Sequence, residues 1–164
     1  MNMKKIILIT LAIFAITASA SAERRNVPYA SLGVTTKVDG LFASFAHPGA
    51  GAAFGFRNYN QDAFVSFTYG AEAWASVTPI SEGVLWGAYA VPQIGVAIGP
   101  RGFKWHPYAG FMAGYNNETQ RFNVGSKQGM SFDFGNHFTL DFATYIPNSW
   151  VGTWVTAVNI IYRF

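Results

Sequence analysis

The chain has 164 residues and a formal charge of +3, and only 12% of its residues are charged while 17% are aromatic. A soluble domain of this size disperses itself with roughly twice that share of charge, so an ordinary water-facing exterior is excluded. After the first 22 residues no window approaches the ~18 continuous apolar residues of a membrane helix, and there is no Cys to brace a small exported domain.

The chain opens with Lys4 and Lys5, an apolar run from Ile6 to Ile16, and the small-residue tail Thr17-Ala18-Ser19-Ala20-Ser21-Ala22. A basic start, a short apolar core and an Ala-x-Ala site predict a secretory signal peptide. The apolar run is too short for a spanning helix, which needs about 20 residues. Cleavage after Ala20 or Ala22 fits; Ala22 is preferred, giving a leader over 1–22 and one mature domain over 23–164. Losing the two leader lysines lowers the formal charge from +3 to +1, which removes the support for a nucleic-acid partner.

The mature sequence then alternates with period two, as strands do. Val27 to Lys37 sets Leu32 and Val34 against Ser31, Gly33, Thr35 and Lys37. Ala50 to Arg57 sets Ala52, Phe54 and Phe56 against Gly51, Gly55 and Arg57, before a turn at 58–61. Asp62 to Trp74 opposes Val65, Phe67 and Tyr69 to Ser66, Thr68, Gly70 and Glu72. In Val84 to Ile98, Trp86, Ala88, Ala90 and Ile94 oppose Tyr89, Gln93 and Gly95, and Pro92 predicts a bulge or a strained register.

After the turn Gly99-Pro100-Arg101-Gly102, Phe103, Trp105, Phe111 and Tyr115 oppose Lys104, His106, Tyr108 and Asn116. Met130, Phe132 and Phe134 alternate with Ser131 and Asp133, and Gly135-Asn136 turns into a strand over His137 to Ile146 with Asp141 on its polar face. The last strand sets Trp154, Thr156, Val158, Ile160, Tyr162 and Phe164 against Val155, Ala157, Asn159, Ile161 and Arg163. Eight such strands predict an all-β, up-and-down antiparallel transmembrane barrel with both termini on one side. The apolar face is expected to meet lipid, with aromatic girdles from Trp86, Trp105, Tyr115, Phe138, Trp154, Tyr162 and Phe164. A soluble lipocalin-like barrel is the alternative architecture, but the polar face carries too few charges to solubilise an exterior.

The closing run, with Val158, Ile160, Tyr162 and a terminal Phe164 on one face, resembles the carboxy-terminal signal of outer-membrane proteins. Pro107 to Tyr115 is similar to a strand of small OmpA-like and OmpX-like barrels. The resemblance implies insertion by the outer-membrane assembly machinery and a setting of outer-membrane lipid and lipopolysaccharide.

The polar face predicts a lumenal network of Lys37, Arg57, Glu72, Lys104, His106, Asp133, Asp141, Asn159 and Arg163. Unpaired buried charge is costly, so ion pairing inside a filled lumen is the leading expectation. A small ion or solute channel is the second. Arg57, Lys104, Asp133 and Arg163 should lie towards the end that carries the termini, Glu72 near the opposite mouth and Asp141 between. His47, His106 and His137 lie at different depths with no Ser or carboxylate at a triad-like spacing. His137-Phe138-Thr139 lacks the Ser and Asn of barrel lipid A deacylases, so an enzyme is not expected, though lipid A modification remains an alternative. No metal or cofactor is expected. Surface contacts would use the segments 38–49, 75–83, 117–128 and 147–152, and the barrel is expected to be a monomer.

Overall fold

The computed structural model describes residues 25–39, 47–80, 83–147 and 153–164. The leader and its cleavage site lie outside them. Eight strands follow in chain order: β1 (Arg25–Asp39), β2 (His47–Tyr59), β3 (Val65–Ile80), β4 (Gly83–Ile98), β5 (Phe103–Asn116), β6 (Arg121–Phe134), β7 (Phe138–Ile146) and β8 (Thr153–Arg163). Each pairs antiparallel with the next, and β8 returns to β1 to close the barrel, as the alternation predicts.

The seam between first and last strand runs from Tyr29↔Arg163 to Asp39↔Thr153, and the Phe164 amide donates to the Pro28 carbonyl just below it. Closure leaves no strand edge unpaired, which is how a barrel satisfies every backbone group. The rim that carries Arg25 and Phe164 also holds the segments 60–64, 99–102 and 135–137, and is called the terminal rim below. Gly99, at φ 136°, and Gly135, at φ 60°, make left-handed turns that a side chain would resist.

Side chains alternate along most of each strand. On β8, Ala157, Asn159, Ile161 and Arg163 are buried while Val158, Ile160, Tyr162 and Phe164 are exposed. The other strands largely repeat this, with apolar groups outside and both polar groups and packed rings inside, although Arg57, Asn58 and Tyr59 are all buried at the end of β2.

Two expectations need correction. Pro92 causes no bulge: Ala90↔Ala113 and Gln93↔Gly110 keep one register on either side of it. Its ring points outward, and the ladder is interrupted at positions 91 and 92 and again at 96 and 97, with the register unchanged at Ile98↔Trp105. The segments read as loops are also largely strand. β3 pairs with β4 up to Ile80↔Gly83, so 75–80 belong to a strand. β6 begins at Arg121, which leaves only 117–120 of the segment 117–128 as a turn. β1 reaches Asp39 and β2 begins at His47, so 40–46 is what remains of 38–49; that stretch, 81–82 and 148–152 lie outside the described residues. The strands run on through segments where Gly, Ser, Thr and Asn blur the contrast between the faces, so the sequence pattern reads as ending too early.

Candidate functional site: the filled lumen

The inward side chains form three layers. Nearest the terminal rim, Asp133 on β6 collects four donors. Its Oδ2 accepts from Tyr59 Oη at 2.9 Å, His106 Nε2 at 2.8 Å and Arg163 Nη1 at 2.7 Å, and its Oδ1 accepts from Thr139 Oγ1 at 2.6 Å. Arg163 also donates through Nη2 to the carbonyls of Gly135 and Phe138, which ties the knot to the turn below. Lys104 meets no carboxylate at hydrogen-bond distance. Its ammonium donates to the carbonyls of Ala63 at 2.6 Å and Gly99 at 2.9 Å, closing the floor.

The middle layer holds two further carboxylates. Glu72 accepts from Tyr29 Oη at 2.6 Å and from Lys127 Nζ at 2.7 Å, and Gln93 donates to Tyr29 at 3.0 Å. Asp141 accepts from Tyr108 Oη at 2.7 Å and from Asn159 Nδ2 at 3.0 Å. The Arg57 backbone sits near the terminal rim, but its guanidinium reaches upward, donates to Ser131 Oγ at 2.9 Å and lies 5.5 Å from the centre of the Tyr108 ring. Lys127 lies 4.9 Å from that same ring centre, so tyrosine faces share the cationic charge with the carboxylates.

Above this the lumen turns apolar. The Trp74 and Tyr145 rings stack at 3.8 Å with planes 8° apart, Tyr89 leans on Trp74 at 5.8 Å, and Ala53, Val91, Met112, Ala143 and Ala157 complete a buried cluster. Over that layer a cavity of about 50 Å³ opens between Lys37, Ser76, Thr78, Asn116 and Glu118. Lys37 Nζ and Glu118 Oε1 bridge its mouth at 2.9 Å.

Every residue of the expected lumenal network faces inward, but not at the expected depth or in one group. Glu72 is mid-barrel rather than at the far mouth, because β3 continues eight residues beyond it to Ile80. Lys37 stands apart at the far rim with Glu118. Sequence reasoning missed Lys127 by assigning it to a loop, although Asp133, Ser131, Gly129 and Lys127 continue one odd-numbered face. It also left the tyrosines at 29, 59, 108 and 145 out of the network, although 108 and 145 fall on the polar face; three of them donate hydroxyls to the carboxylates and Tyr145 supplies a stacking face.

The histidines also need correction. His106 does lie beside a carboxylate, Asp133, and is the cross-strand neighbour of Ser131. Both His106 and Ser131 are fully buried, and the Ser131 hydroxyl accepts from Arg57 rather than pairing with the imidazole. His137 donates through Nδ1 to the Arg163 carbonyl at the terminal rim, 3.0 Å away. Among the described residues no His, Cys, Asp or Glu group suits a metal ion.

No protein-family model matches the chain, and neither does any curated protein. Among solved structures it is similar to one reported as "De novo design of transmembrane beta-barrels", with a TM-score of 0.52 and 11% identity over 87% of this chain and 99% of that one. At that identity the likeness is one of fold: the chain is a closed, eight-stranded, all-antiparallel up-and-down barrel, similar in fold to a designed transmembrane barrel.

Proposed function

We propose that the protein is an exported barrel of the bacterial outer membrane, with a structural or surface-contact role and no catalytic site. One observation carries this reading: the polarity of the fold is inverted. Leu32 is 72% exposed and Ile160 63%, while Asp141 is 1% and Lys127 2% exposed. In water that arrangement wastes apolar burial and desolvates charge, whereas in hydrocarbon both terms reverse sign. The basic leader and the outward Val158, Ile160, Tyr162 and Phe164 support export and handling by the outer-membrane assembly machinery, with lipid and lipopolysaccharide around the wall.

The filled lumen favours a structural role over a conducting one. The Trp74–Tyr145 stack and the Asp133 knot fill the lumen at two levels, as the narrow interior of an eight-stranded barrel requires. The test is outer-membrane fractionation coupled to gel mobility with and without boiling. The barrel is expected in the outer-membrane fraction and to migrate differently until boiled; recovery in the soluble periplasm overturns the reading.

A further inference from the structure

Between the rims, the outer wall of the described strands is apolar except at one place. The outward face of β6 reads Phe122, Val124, Ser126, Gln128, Met130, Phe132 and Phe134, so a hydroxyl and an amide sit at the centre of a greasy strand. Gln128 lies six residues from Phe134, about 20 Å along the strand, which places it near mid-depth. Its inward neighbour Lys127 is buried, which fixes the Gln128 side chain on the outside.

The register extends this spot into a row. Gln128 pairs with Thr144, Thr144 with Thr156, and Thr156 with Thr36. Gln128, Thr144 and Thr156 point outward, since Lys127, Tyr145 and Ala157 beside them are buried, while Thr36 ends the row towards the far rim with its hydroxyl buried. Neither the Gln128 amide nor these threonine hydroxyls bond to another described side chain. Next to Gln128, across the Ala109↔Gln128 pair, the wall sinks into a hollow of about 580 Å³ lined by Tyr69, Pro92, Ile94, Ala109, Phe111 and Ser126.

We propose that this row and hollow form the contact between two copies of the chain within the membrane, an inference that rests on the membrane reading above. At mid-depth, acyl chains offer neither donor nor acceptor, so lipid leaves the amide unsatisfied at a cost in free energy. Another protein is the partner that can supply hydrogen bonds there. The row is uncharged, and every group in it both donates and accepts. Such a surface satisfies itself when turned about a two-fold axis, as isologous dimers require. The hollow lets a second wall approach until the two Gln128 amides meet, in the way small residues admit close contact between membrane segments.

The chain has no Cys, so single cysteines report contacts cleanly. Met130→Cys places one beside the row; Phe54→Cys places one on β2, four strands away around the barrel. Each variant is reconstituted as the full mature barrel in phosphatidylcholine/phosphatidylglycerol vesicles and oxidised over a range of protein-to-lipid ratios. Cross-linked dimer is expected for Met130→Cys and not for Phe54→Cys. Adding Gln128→Leu to Met130→Cys should raise the protein density needed for half-maximal cross-linking about tenfold, with heat-dependent mobility intact. Equal cross-linking from both positions, none from either, or indifference to Gln128→Leu overturns the proposal. So does cross-linking of Met130→Cys in whole cells only to a different membrane protein. Failure to co-float with the vesicles is a separate readout: it sinks the membrane reading and this inference with it.

Discussion

Below Lys127 the lumen is filled by ion pairs and hydroxyls; above it, by stacked rings and small apolar groups. The lower half desolvates charge, so it must supply several donors to each carboxylate, and it draws them from strands as distant as Tyr59 and Arg163. The upper half buries few polar atoms and needs only shape. The contrast teaches that one barrel interior can be brittle and tolerant at once: each ionic group depends on named partners, whereas the ring layer depends on volume.

Substitutions can break this contrast, starting with the largest effect. Asp133→Ala strips the counter-charge from Arg163 and the acceptor from Tyr59, His106 and Thr139, and should cost about 4 kcal/mol of unfolding free energy. Denaturant titration of the barrel in vesicles measures it; a loss below about 1 kcal/mol would mean that water already screens the knot. Trp74→Ala removes the largest ring of the upper layer and should cost about 3 kcal/mol by leaving a void beside Tyr145 and Tyr89. Trp74→Phe should recover more than half of that, because shape is all this layer asks for.

Gly129→Ala sharpens the boundary between the layers. A Cβ there would lie 2.4 Å from the Phe142 carbonyl oxygen and 2.7 Å from the Tyr108 hydroxyl. It should cost about 2 kcal/mol by pushing Tyr108 off Asp141, and the same titration reads it. Lys37→Ala at the open far rim should cost less than about 1 kcal/mol, since Glu118 is partly exposed and the pair is screened. A Lys37 effect as large as that of Asp133 would erase the distinction between rim and interior.

Closure, strand number and the side on which each residue falls were legible in the sequence because period-two alternation is a local property. The terminal Phe164 and its alternating neighbours lie on the outer face, and Asp141 and Asn159 on the inner one, as their parity requires. Depth and partnership were not legible. Glu72 was misplaced because the segment beyond it was read as a loop, although Ala75, Val77 and Pro79 still fall outside and Trp74, Ser76 and Thr78 inside. The Asp133–His106 contact spans 27 positions and exists only through the β5–β6 register. Pro92 looked like a defect since a proline lacks a ladder donor, yet its ring faces outward and the pairing resumes without a shift.

The seam between β1 and β8 bears on how the protein acquires its shape. Seven strands make a ribbon with two raw margins of unmet amides and carbonyls; the eighth removes both together. Tyr29 and Arg163, neighbours across that seam, are separated by nearly the whole of the barrel's sequence. Assembly is therefore a latch rather than a zip: nothing short of the last strand's arrival ends the ribbon's capacity to pair with a stranger, and until then the protein is at its most prone to misassociation.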